Sequence, residues 1–107
     1  MASGTIQTSS WKKHGEFDRN ELFNLPSNYT ELLVVVYGGS GNVYSQVIPK
    51  ESLGSEQIGH IIGGYYYTNI NYGLVNVYMS KTQGKLMSMF DGGADKLSTS
   101  RTSIYYK

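Results

Sequence analysis

The sequence predicts an all-β protein, a single antiparallel β-sandwich of jelly-roll-like form with about seven or eight strands. Three observations predict it. Charged residues make up only 16% of the 107 residues, while Gly, Ser, Asn and Tyr are abundant, the balance of short strands joined by tight turns. The apolar runs are short, and several alternate with polar residues at period two. Turn-forming clusters separate them at roughly 8–14-residue intervals, too close for crossover helices, so the pairing is antiparallel throughout.

Residues 1–10 read as an added leader, Met1-Ala2-Ser3-Gly4, and then a first strand over Thr5–Ser10. The next segment holds the densest charge of the chain, His14, Glu16, Asp18, Arg19 and Glu21, beside Gly15 and Asn20. Two carboxyls about 5–9.5 Å apart could in principle hydrolyse a glycoside. Nothing apolar in sequence surrounds these to raise a pKa, so the segment reads as a solvated loop.

The clearest strand is Glu31-Leu32-Leu33-Val34-Val35-Val36-Tyr37, a near-continuous apolar and β-branched run expected to be covered on both faces at the centre of a sheet. Gly38-Gly39-Ser40-Gly41-Asn42 then turns the chain into Val43–Ile48, making a hairpin that Pro49 ends because it has no N–H for the ladder. Lys50–Gln57 is a connection with one helical turn at most, Pro49 standing at its start. Strand returns over Ile61–Thr68, a polar turn comes at Asn69-Ile70-Asn71, and Tyr72–Ser80 returns with Val75, Val77 and Met79 on its core face. Thr82-Gln83-Gly84 turns into Lys85–Phe90, Asp91–Asp95 reads as a loop, and Thr102–Tyr106 is the last strand. No repeat, linker or second domain interrupts residues 1–107.

Composition also excludes function classes. With no cysteine there is no disulfide framework, thiolate metal site or thiol nucleophile. A net charge of +1 without blocks of like charge gives no footprint for nucleic acid, and no apolar run approaches the roughly 18 residues of a membrane span. Neither a GxSxG elbow, a phosphate-binding glycine loop nor a His-x-x-x-His spacing occurs, so no catalytic residue, metal or cofactor is assigned. Asp91-Gly92-Gly93-Ala94-Asp95 offers too few oxygens for Ca²⁺ and reads as a turn. Asn28-Tyr29-Thr30 is a formal glycosylation acceptor with no secretory signal beside it. His60 reads as a strand residue, packed or half exposed.

The candidate ligand-binding residues are Tyr65, Tyr66, Tyr67, Asn69, Asn71 and Tyr72. A tyrosine offers an apolar face to the C–H surface of a sugar, plus a hydroxyl, and fixes only two torsions. In an alternating strand Tyr65 and Tyr67 share a face and Tyr66 takes the other, so all three cannot be core. Asn69 and Asn71 suit a tight turn as well as hydrogen bonding to sugar hydroxyls. The same rings also suit ordinary sandwich and subunit packing.

Four pieces in order carry a resemblance: Phe23-Asn24-Leu25-Pro26-Ser27-Asn28-Tyr29-Thr30-Glu31-Leu32 leading into an apolar strand, Val47-Ile48-Pro49, Gly64-Tyr65-Tyr66-Tyr67, and Ser103-Ile104-Tyr105-Tyr106-Lys107. The set, over residues 11–107, resembles the C-terminal head domains of tail-fibre or receptor-binding proteins from phages of Gram-positive and gut bacteria. The resemblance implies a small β-sandwich, usually a homotrimer at the tail tip of the virion, that binds a host-surface saccharide or protein and catalyses nothing. Trp11-Lys12-Lys13-His14-Gly15 matches no pattern of that family. Two other readings stay open, a structural fibre or baseplate spacer and a bacterial carbohydrate-binding module.

Overall fold

The structure, a computed structural model, describes residues 10–37, 43–68, 71–91 and 101–107, and their side chains other than those of 64–68, 71–74 and 88–91. Eight strands are present among them: β1 (Lys12–Asp18), β2 (Leu22–Asn24), β3 (Glu31–Tyr37), β4 (Val43–Pro49), β5 (Ile58–Thr68), β6 (Asn71–Met79), β7 (Gln83–Asp91) and β8 (Arg101–Tyr106). They form two four-stranded antiparallel sheets, β1-β8-β3-β4 and β2-β7-β6-β5, packed as a β-sandwich. The first strand pairs with the last and the second with the seventh, a nested jelly-roll-like closure. β3–β4 and β5–β6–β7 are plain hairpin neighbours.

The core arises from period two. Leu32, Val34 and Val36 of β3 are fully buried, and their partners across β8 are Tyr106, Ile104 and Thr102. Facing them from the second sheet are Val75, Val77 and Met79 of β6 and Leu86 of β7, all buried as well. β3 is not covered on both faces as its sequence suggested: Leu33 and Val35 are half-buried and Tyr37 is exposed. Its Val run is that of a strand with one dry face, lying between two neighbours.

Aromatic rings close both sides of the sandwich. On one side Phe17 of β1 and Phe23 of β2 stack with centroids 4.1 Å apart and planes 9° off parallel. Glycine makes room at each end of that stack: a Cβ on Gly15 would lie 2.9 Å from Phe17 Cζ, and one on Gly84 would lie 2.7 Å from Phe23 Cζ. On the other side Tyr44 of β4 lies against Gly63 of β5, where a Cβ would come within 2.6 Å of its ring.

Three sequence expectations need correction. The charged segment from His14 is not a loop but the edge strand β1, with a register shift between Lys13 and Gly15. Its side chains are exposed apart from half-buried Gly15 and Phe17, and Phe17 packs on the core. The crossing from β1 to β2 is a turn at Asn20, whose φ of 69° suits asparagine. Secondly, Gln83 and Gly84 belong to β7; the turn before them is Ser80–Thr82, where Ser80 Oγ accepts hydrogen bonds from the N–H groups of Thr82 and Gln83. Thirdly, Asn71 is not in the turn but opens β6, and Asp91 ends β7. The expected first strand over Thr5–Ser10 lies outside the described residues except for Ser10, which is not in a strand, and residues 92–95 of the expected Asp91–Asp95 loop lie outside them too. The single helical turn after Pro49 is a 3₁₀ turn, Lys50–Ser52, with Pro49 as its N-cap residue.

Candidate functional site

The tyrosine segment forms the turn end of the β5–β6 hairpin. Backbone register pairs Tyr65 with Gly73, Tyr66 with Tyr72 and Thr68 with Asn71, and a register shift between Tyr66 and Thr68 sets Tyr67 in a bulge. Across the other side of β6, Tyr72 pairs with Asp91 of β7. Five of the six sequence candidates, Tyr65, Tyr66, Tyr67, Asn71 and Tyr72, are therefore brought to one hairpin end. Asn69 lies outside the described residues, as do the side chains of the other five. A bulge bends a strand and redirects the chain beyond it, a device common beside binding sites.

The opposite end of the sandwich is built by three of the four pieces that carry the resemblance. The chain leaving β2 crosses between the sheets through Leu25-Pro26-Ser27-Asn28-Tyr29, with Leu25 and Tyr29 buried. Leu25 N–H donates to Thr82 O, and Tyr29 Oη–H donates to Lys81 O at 2.6 Å, so this crossing is tied to the β6–β7 turn. Thr30 O accepts from Lys50 N–H just after Ile48-Pro49, and Lys107 O accepts from the N–H groups of Thr30 and Glu31. The Tyr106-Lys107 tail is held further by a 3.3 Å Lys107–Glu31 ion pair and by the Lys107 ammonium 4.5 Å over the Trp11 ring. Hence these sequence signals have a structural explanation: they close one end of the sandwich.

A cleft of about 690 Å³ opens at that end, lined among others by Tyr29, Glu31, Lys50, Glu51 and Lys81, and a second of about 440 Å³ adjoins it at Lys50 and Lys81. Its volume is that of a ligand site, yet its chemistry does not suit sugar stacking. The Tyr29 ring is buried, and the Lys50 ammonium sits 4.7 Å from its centroid. Its hydroxyl is spent on Lys81 O, and burial pushes its pKa above the ordinary tyrosine value. Both the face and the polar tip are occupied within the chain.

The charged segment proves to be an ion-pair array on the outer face of β1 and β8. Lys13 Nζ meets Glu16 Oε2 at 2.6 Å, while Arg101 bridges Glu16 at 3.7 Å and Asp18 at 3.2 Å. Glu21 turns back to accept from Asp18 N–H at 3.0 Å. The hydrogen bond from Lys13 holds the Glu16 carboxyl below the ordinary range, the reverse of what a general acid needs. His14 contacts the Asn24 carbonyl at 2.7 Å. Such exposed pairs contribute little to stability. Among the described residues no group of three or more His, Cys, Asp or Glu could hold a metal ion.

Comparison with family models, with curated proteins and with solved structures finds no match.

Sequence reasoning missed the exposed apolar residues, Ile58, Ile61 and Tyr78 on β5 and β6 and a row on β3 and β4. The outer face of β3 and β4 carries Tyr37, Val43 and Val47, all exposed, beside half-buried Leu33 and Val35. Its signal lies in the odd-numbered residues of VYSQVIP, whose apolar members mark a strand without telling which face is covered.

Proposed function

We propose that this chain is a non-catalytic binding domain that recognises a saccharide on a bacterial surface, the role that the resemblance to phage receptor-binding heads implies. The observation that supports it is the backbone register of the β5–β6 hairpin, which gathers Tyr65, Tyr66, Tyr67 and Tyr72 at one end. That end lies away from the end closed by the crossing through Tyr29. A tyrosine supplies an amphipathic ring at low entropy cost, the chemistry on which paratopes draw. The cleft at the opposite end is less suited, because the ring and hydroxyl of Tyr29 are occupied within the chain.

In that setting the domain acts outside the host cell, at the tail tip of the virion. The homotrimer is the arrangement of copies that the resemblance implies, and the saccharide reading does not depend on it. A spacer reading differs in one measurable way. Substituting the hairpin tyrosines of a spacer disturbs assembly, whereas the same change in a binding domain removes adhesion and leaves assembly intact.

The test is an array of bacterial-surface glycans probed with the wild-type chain and with Tyr66→Ala, Tyr72→Ala and the Tyr65→Ala/Tyr67→Ala pair. A ring stacked on a sugar contributes about 1 kcal/mol or more beyond the area it buries, so loss of one contacting ring weakens binding roughly tenfold. Binding unchanged in all three variants, or none to any bacterial glycan, refutes the proposal.

A further inference from the structure

We infer that β4 is a strand-addition edge, and that its occupant is β4 of a second copy of this chain, paired antiparallel about a two-fold axis at Ser45. Among the described residues the two sheets have four edges, β1 and β4 in one and β2 and β5 in the other. Edge strands display unpaired N–H and C=O groups, and proteins that stay monomeric blunt them with charge, brevity or bulges. Three of the four edges are blunted in this way. β1 carries Lys12, Lys13, Glu16 and Asp18 and has a register shift at Lys13/Gly15. β2 is three residues long, and β5 has register shifts at Ile61/Gly63 and Tyr66/Thr68.

β4 has none of these devices. It pairs with β3 over seven residues, Val43 to Pro49, without a shift, and it has no charged residue. Val43 and Val47 on its outer face are 58% and 47% exposed. Its one blunting residue, Pro49, sits at the end of the strand.

A second copy fits this edge because the strand is complementary to itself. With the axis at Ser45, Val43 of each copy lies opposite Val47 of the other, Tyr44 opposite Gln46, and Ser45 opposite Ser45. Opposed residues in an antiparallel pair share a face, so both valine pairs fall on the outer face. Pro49 and the charged Lys50 and Glu51 fall beyond the paired stretch. No like charges meet within it, and the alternate residues Val43, Ser45 and Val47, whose N–H groups point away from β3 in the register that the Lys50 N–H to Thr30 O bond continues, each keep a donor for the second copy. The two β1-β8-β3-β4 sheets become one continuous sheet, and exposed Val43 and Val47 gain apolar neighbours. Such a two-fold contact is isologous and closes on itself, so it yields a dimer and not a fibre.

The test uses the full chain in sedimentation velocity and hydrogen exchange. The wild type is expected to be a dimer at micromolar concentration, with the Val43, Ser45 and Val47 amides protected in a concentration-dependent way. Val43→Lys/Val47→Lys sets lysine against lysine twice in this register and is expected to weaken self-association roughly tenfold or more. Val43→Lys/Val47→Glu sets opposite charges together and is expected to restore the dimer. Both pairs of changes sit on exposed positions, and retained thermal unfolding shows that each variant folds. A wild type that is monomeric at concentrations on the order of 100 μM overturns the inference. So does a trimer, a dimer indifferent to the double lysine variant, or a monomer whose β4 amides are protected only by an added extended peptide.

Discussion

Replacing Gly84 by alanine should destabilise the fold although it adds only one methyl group to a buried strand position. Gly84 lies in β7 with Phe23 of β2 across from it, and the new Cβ would be 2.7 Å from both Phe23 Cε1 and Cζ and 3.3 Å from Met79 Cγ. Phe23 cannot simply retreat, because its other face stacks on Phe17 at 4.1 Å. Phe17 in turn lies over Gly15, where a Cβ would be 2.9 Å away. The four residues are a stack with a glycine at each end. Overpacking costs about 1–3 kcal/mol, and relief of the glycine's excess chain entropy offsets about 0.5–1 kcal/mol of that. The net expectation is a loss of about 1 kcal/mol, and at most about 2.5 kcal/mol, read from urea unfolding with an unchanged m-value. A thermal melt should fall by roughly 4 °C or more per kcal/mol at this chain length. Shortening the far ring supplies the control. In a Phe17→Leu background Phe23 gains room to shift, so the same Gly84→Ala change should cost less, by about 0.5–1.5 kcal/mol of coupling. A neutral Gly84→Ala, or strict additivity with Phe17→Leu, would refute the stack as the constraint.

Two further predictions concern buried hydroxyls. Tyr29→Phe removes the donor to Lys81 O and should cost about 0.5–1.5 kcal/mol at neutral pH. It should also change the alkaline limb of the stability profile. Burial raises the folded-state pKa of Tyr29 above the ordinary value of 10.0, so the unfolded chain ionises first and stability falls as pH rises from about 10 through the folded pKa. Tyr29→Phe should shallow that fall in parallel denaturant titrations. Ser103→Ala should do the opposite of a usual core truncation. Ser103 is buried in β8 and its Oγ has no hydrogen-bond partner among the described residues, so removing the hydroxyl should leave stability unchanged or raise it by about 1 kcal/mol in urea unfolding.

The strands legible from sequence are those whose period is unambiguous. Val75, Val77 and Met79 fall on the core face as their spacing requires, and Pro49 ends β4 and begins the 3₁₀ turn as its missing N–H dictates. β1 is illegible for a physical reason. An edge strand with one solvated face and a single ring, Phe17, on the other has too few apolar residues to show a period. β2 is too short to show one at all, and its existence depends on Phe23 finding Phe17, a contact between different sheets. β3 errs in the other direction: chain chemistry alone cannot tell a Val run with one dry face from a strand with two.

The candidate site divides along the same line. Segments such as Leu25-Pro26-Ser27-Asn28-Tyr29, Ile48-Pro49 and Tyr106-Lys107 are consumed by the closure of one end, through Tyr29 to Lys81, Lys50 to Thr30 and Lys107 to Glu31. A resemblance carried by such residues speaks first about how a sandwich is closed, and any chain needing the same closure could share them. Recognition needs residues that the architecture does not consume. Two sets outside that closure carry the two proposals, the tyrosines at the β5–β6 hairpin end and the uncharged outer row of β4. One is rich in rings and polar turn residues, as contact with a sugar requires; the other is a flat backbone edge flanked by valines, as contact with another strand requires. Their separation implies that adhesion and self-association can be removed independently. Tyr66→Ala and Val43→Lys/Val47→Lys combined in one chain should then show the two single losses and nothing more.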